Sequence, residues 1–100
     1  MLIPKRRPIS VGEVLAKDFM EPMELTQTAL ADAMGVERRL VNELCKNRRA
    51  VTVDTAMMLA RVFGNTPDFW LNVQRLNDMW EVLNDPKRRQ RVERAKRLAA

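Results

Sequence analysis

Histidine and tyrosine are absent from this 100-residue chain, which holds one cysteine, three glycines and no long apolar run. Without histidine, and with Cys45 as the only thiol, it has neither the ligand set of a zinc site nor an imidazole for acid–base catalysis. A single cysteine excludes an intrachain disulfide and suits a cytoplasmic home. Its place at the end of an amphipathic segment predicts a packed or half-buried thiol. No stretch is apolar for long enough to cross a membrane, and Met1 to Ser10 lacks the apolar core of a signal peptide. Acid pairs such as Asp18 and Glu21 fall on exposed helix faces without a metal-ligand pattern, so neither an enzyme, a cofactor, a metal site nor a small-molecule substrate is expected.

What is present favours helix. Ala, Leu, Met, Arg and Glu are abundant and β-branched residues few, which predicts one all-α domain. With 46% AVILMFWYC and 31% charged residues the chain can build a core, so wholesale disorder is excluded. The net charge of +5 is unevenly spread: +3 over residues 1–9, −4 over 10–36, +3 over 37–49, −3 over 50–85 and +6 over 86–100. The body is acidic, and positive charge is confined to the termini and one internal window. That layout fits a reader of duplex DNA, although charge runs also occur as plain solvated faces.

The segmentation follows from caps and periodicity. Residues 1–9, with two prolines and Lys5-Arg6-Arg7, form a basic arm that either lies along phosphates or is disordered. Residues 10–85 form the domain. Ser10 and Glu13 make a capping box for a first helix with Val11, Val14, Leu15 and Phe19 on one face; Pro22 ends it, and Met23 and Leu25 carry the apolar contact onward. Thr26 caps a second helix with Leu30, Ala31 and Met34 buried, and Gly35 takes the turn. Val36, Val41 and Leu44, with Leu40 and Cys45, face inward from the turn and the third helix. Asn47, tolerant of a left-handed backbone, stops that helix. Thr52 caps a fourth, with Ala56, Leu59, Ala60 and Phe63 toward the core, Met57, Met58 and Val62 as added packing, and Gly64 at its end.

Thr66-Pro67-Asp68 opens a fifth helix. Along it Phe69, Val73, Leu76, Trp80 and Leu83 recur at steps of four and three, while Trp70, Leu71, Met79 and Val82 broaden the stripe. This exceeds what one core needs, so Phe69, Trp70, Val73, Leu76, Trp80 and Leu83 are expected to pair with a second copy as a homodimer; the alternative is that they all close the monomer's own core. After Asp85-Pro86, residues 86–100 are a basic tail, either a helix docked by Val92, Ala95 and Leu98 or Ala99, or a frayed end adding phosphate attraction.

The stretch Gln27 to Lys46, hinged at Gly35, carries the pattern of a helix-turn-helix. Arg38, Arg39, Asn42, Glu43 and Lys46 then face outward. Arginine bonds guanine bidentately and asparagine suits adenine, which makes Arg38, Arg39 and Asn42 candidate base readers. Glu43 is set with them, either accepting from a cytosine amine or orienting a neighbouring arginine. Thr26 and Gln27, at a helix N-terminus, and Lys46, Arg48 and Arg49, by charge, are the candidate phosphate contacts. One headgroup is too weak to find a single site, so a dimer on an inverted-repeat operator is expected.

These residues resemble a known family. Ser10-Val11-Gly12-Glu13, Leu25-Thr26-Gln27, Arg48-Arg49-Ala50-Val51-Thr52 and the run from Thr66 to Gln74 are similar to the HigA-type antitoxins of the Xre/Cro-like group, over roughly residues 8–83. The Phe-Trp-Leu-Asn-x-Gln element is the most specific part. The resemblance implies a compact, lambda-repressor-like five-helix bundle and a bacterial antitoxin that dimerises, represses its own operon and neutralises a HigB-type toxin, a RelE-like mRNA endonuclease. A stand-alone repressor without a toxin is the alternative. Glu37 stands where Ser or Thr usually caps the recognition helix, and Lys46-Asn47 replaces the usual Asn-Gly, so the operator sequence does not carry over from relatives.

Overall fold

The computed structural model describes residues 5–98. The expected fold is found. The chain forms α1 (Val11–Glu13, continuing in π-helical turns over Val14–Met20), α2 (Gln27–Met34), α3 (Arg38–Cys45), α4 (Val53–Phe63), α5 (Pro67–Asn84) and α6 (Pro86–Arg94). The starts of α1, α2, α4 and α5 are built by the local chemistry that the sequence signals. Ser10, Thr26, Thr52 and Thr66 accept bonds from the amides of Glu13, Ala29, Thr55 and Phe69 at 3.0–3.3 Å. Such caps satisfy amides that helix geometry orphans, each worth about 1 kcal/mol. Gly35 and Gly64 close α2 and α4 in the left-handed region, at φ 74° and 72°.

The core is one cluster: Val11, Val14, Leu15 and Met20 of the first helix, Leu30, Ala31 and Met34 of α2, Val41 and Leu44 of α3, Val51, Ala56, Leu59 and Ala60 around α4, and Trp70 of α5. An aromatic group seals one end, with Phe19 4.9 Å from the rings of both Phe63 and Trp70, and Phe69 set edge-on to Trp70. The Trp70 indole donates to Asn65 Oδ1 at 3.0 Å. The residue is wholly buried. Trp70 therefore closes the monomer's own core and has no surface for a partner, which corrects its place in the expected interface.

Other expectations shift. Met23 is 59% exposed and carries no contact onward, because the turn after α1, with Glu24 at φ 51°, swings it to solvent. Met57 and Met58 lie on the outer side of α4, leaving only Val62 of that trio packed on the core.

In the described part of the basic arm, residues 5–9, Arg7 and Ile9 meet α5, a contact that neither expectation named. Asn77 donates to the Ile9 carbonyl at 2.8 Å, the Arg7 guanidinium sits 5.3 Å from the Trp80 ring centre, and Arg7 pairs with Glu81 at 3.6 Å. A cation over an indole gains from the ring quadrupole, which explains the docking. The expectation for residues 1–4 lies outside the described residues.

At the other end α6 is a helix, as one reading of the tail had it, but none of its residues is buried. Val92 and Leu98 are exposed, so the expected docking stripe is not engaged; Ala99 lies outside the described residues. Pro86 at the first position, Asp85 as cap and the Arg89–Glu93 pair at 2.8 Å sustain the helix locally. It extends the molecule to 52 × 23 × 22 Å.

Candidate nucleic-acid interface

Glycine is a poor residue for a helix's first turn, yet Gly12 sits in that of α1 for a steric reason. A Cβ there would meet the Cys45 carbonyl oxygen at 2.3 Å. The bare Cα lets the N-terminus of α1 lie against the C-terminus of α3. Asn47, in the left-handed region at φ 57°, locks the contact: its Oδ1 accepts from the Gly12 amide at 2.9 Å and its Nδ2 donates to Ser10 Oγ at 3.0 Å. The sequence reading assigned Asn47 its backbone role and gave Gly12 none. The glycine's presence in a capped first turn was the available signal.

Gln74 is a second residue whose job needed the fold. Its Oε1 accepts from the Val51 amide at 2.9 Å, pinning the loop after α3 to α5, and its Nε2 donates to Asp78 at 2.9 Å. Arg48, Arg49 and Asn47 thus rim a cleft of about 410 Å³ whose far wall is Gln74, Asp78 and Glu81 of α5, with Arg7 at its mouth.

With α3 held at its C-terminus by Asn47 and across its inner face by Val41 and Leu44, its outer face is set. Arg38, Arg39 and Lys46 are exposed, and Asn42 and Glu43 half-buried. Asn42 Nδ2 donates to Gln27 Oε1 at 3.1 Å, which ties the start of α2 to the middle of α3. The helix begins at Glu37 without a side-chain cap bond, as its sequence implied. Glu43 lies between two arginines. Arg49 donates to its Oε1 from Nη2 at 2.8 Å and from Nε at 3.3 Å, and Arg39 Nε stands 3.9 Å from the same oxygen. The Arg49 bond, with the charges of Arg49, Arg39 and Arg48, holds the Glu43 carboxyl below the ordinary glutamate value against a partial desolvation. Cys45 is half-buried as expected, and that burial pushes its thiol pKa up.

The candidate base readers Arg38, Arg39, Asn42 and Glu43 thus share one face. Thr26 and Gln27 stand at the start of α2, while Lys46, Arg48 and Arg49 follow α3, so the candidate phosphate contacts flank that face. The six candidate interface residues do not stay together. Trp70 is internal, Phe69 forms the rim of the aromatic group, Val73, Leu76 and Trp80 are half-buried, and Leu83 is exposed. Met79, Val82 and Leu83 line an open apolar groove with Asp78. Among the described residues no group of acids and cysteine is placed to hold a metal ion, and no helix is long and apolar enough to cross a membrane.

Comparison with known proteins places this geometry. A family profile described as helix-turn-helix matches residues 17–70. Antitoxin HigA-1 of Vibrio cholerae is 51% identical over 80 residues, covering 80% of this chain and 75% of the relative. The HTH-type transcriptional regulator YbaQ of Escherichia coli K12 is 37% identical, over 94% of this chain and 83% of its own. Among solved structures, antitoxin GraA in complex with its operator superposes with a TM-score of 0.85 at 33% identity, covering all of both chains.

Proposed function

The chain belongs to the HigA-type antitoxins of the Xre/Cro-like helix-turn-helix group, and from that premise we propose that it binds its own operator as a dimer, represses its operon and neutralises a HigB-type toxin of the RelE-like mRNA endonuclease class. The observation that carries the DNA reading is the outer face of α3, where Arg38 and Arg39 are exposed beside Asn42 on a helix held at its middle by Gln27 and at its C-terminus by Asn47. A helix of this kind enters the major groove, and two adjacent guanidinium groups at its start suit guanine edges. Thr26 and Gln27 offer the start of α2 to a phosphate, and Lys46 and Arg48 hold the backbone on the other flank. The solved complex of GraA with its operator supports the same use of this fold.

Dimerisation places two α3 helices about one DNA turn apart, roughly 34 Å, and calls for an inverted-repeat site. The last turns of α5 supply the surface, with Leu76 and Leu83 at its centre and Trp80, under the arm, at its edge. Sedimentation of a Leu83→Glu variant tests this: a monomer is expected, and an unchanged dimer rejects the interface. For DNA, Arg38→Ala and Arg39→Ala are expected to abolish preference for operator over random duplex; equal losses on both would reject base reading.

The toxin separates this reading from a second. The similarity to an E. coli transcriptional regulator favours a stand-alone repressor as the alternative. Co-purification of a small basic toxin encoded beside this gene is expected; no such partner and no neighbouring toxin frame would leave the stand-alone repressor.

A further inference from the structure

We propose that Glu43 is a positioning residue for base reading: anchored by Arg49, its carboxylate presents Arg39 to the base edges, which makes Arg49 part of the specificity apparatus. The inference rests on the DNA reading above and gives a purpose to an ion pair which that reading leaves idle.

The geometry assigns different tasks to the two arginines. Arg49 turns one whole edge of its guanidinium, Nε and Nη2, to Glu43 Oε1, so that edge is already occupied. Arg39 approaches the same oxygen by Nε alone, at 3.9 Å, and its side chain remains 82% exposed. That approach does not use Nη1 and Nη2, and this pair of donors fits guanine O6 and N7. Glu43 is only 23% exposed. Both arginines converge on its Oε1, which is the arrangement an orienting carboxylate needs.

An arginine left to itself samples many rotamers and loses them on binding. Fixing it beforehand removes that cost where the fixed pose matches the site, about two- to tenfold in affinity. The gain falls mainly on the operator, because random duplex presents a guanine at the required place only by chance. Removing a plain phosphate-binding charge would instead weaken all sequences alike and lower the salt slope by ~0.9.

The test uses the full chain, an operator duplex and a set of operators each changed at one base pair, with random duplex at several salt concentrations. Glu43→Gln is expected to reduce preference about two- to tenfold at the base pair where Arg39→Ala abolishes it, and at no other. In an Arg39→Ala background it should add nothing. Arg49→Lys, which keeps the charge and gives up the two-pronged bond, should lose preference at that same base pair with an unchanged salt slope. A change confined to a different base pair would mean that Glu43 reads a base itself, and preference unchanged at every position would mean that the pair has no part in reading; either overturns the inference. A wild-type protein that does not prefer operator over random duplex would instead overturn the DNA reading beneath it.

Discussion

In α2 and α3 the apolar residues Leu30, Ala31, Met34, Val41 and Leu44 are all buried, and across the outer face Asn42 bonds to Gln27 and Arg49 to Glu43. In the last turns of α5 and in α6 the same residue types are left half-engaged. Leu83 and Val92 are exposed, seven Lys and Arg follow Asp85, and among the described residues only Arg89 of these pairs with an acid, Glu93. The first region is satisfied within one copy. The second is what a monomer cannot complete: apolar surface beyond its own core, and a nine-residue helix too short to be stable alone in water. In the proposed function, reading belongs to the first region and assembly to the second.

Substitutions in the core should separate the two regions most strongly. Trp70→Ala should cost about 3–5 kcal/mol, a large share of the stability of a domain this size, whereas Leu83→Ala should cost the monomer less than about 1 kcal/mol; chemical denaturation of dilute protein measures both. Similar losses would mean that the two faces of α5 are not distinct. Next in size is Gly12→Ala. Its Cβ would overlap the Cys45 carbonyl, a backbone atom that cannot swing aside, so about 2–3 kcal/mol and a displaced α3 are expected, seen as a lower melting temperature together with weaker operator binding.

The incomplete region should respond differently. Replacing Lys87, Arg88, Arg91 and Arg94 together by glutamine should leave stability within about 0.5 kcal/mol. It should weaken operator and random duplex alike, lowering the salt slope by up to ~0.9 for each phosphate no longer neutralised. A selective loss on the operator would place α6 among the readers. The smallest effect is with pH. Because the folded-state pKa of Glu43 is depressed, its contribution is present above the unfolded value and is lost only as pH falls through the folded one. Operator preference should therefore stay flat from pH 8 down to about 5, and fall below the ordinary glutamate range. A decline between pH 8 and 6 would remove Glu43 from the account.

Sequence logic reached the α2–α3 unit because its determinants are local. A threonine cap, a glycine at positive φ and a period of 3.6 residues act within a few positions of themselves, and the outward residues follow once the inward ones are assigned. It went astray where a face is chosen by what lies across from it. Periodicity placed Trp70 beside Phe69 and Trp80 on one broad stripe, but it could not say which edge meets Phe19 and Phe63. Arg7 was given to phosphate or to disorder, because nothing local joins it to Trp80 and Glu81, more than seventy positions on.

The sequence by itself determined an all-α chain, the starts of its first five helices and the arginine pair at the head of α3, and its motifs pointed to the family. These follow from backbone propensity and short-range bonding. Only the tertiary structure decided that Gly12 and Asn47 brace α3, that Gln74 holds the loop after it, that Trp70 belongs to the core, and that one carboxylate stands between Arg39 and Arg49. Each of these depends on a distance between residues far apart in the chain, set by close packing and by bonds across it.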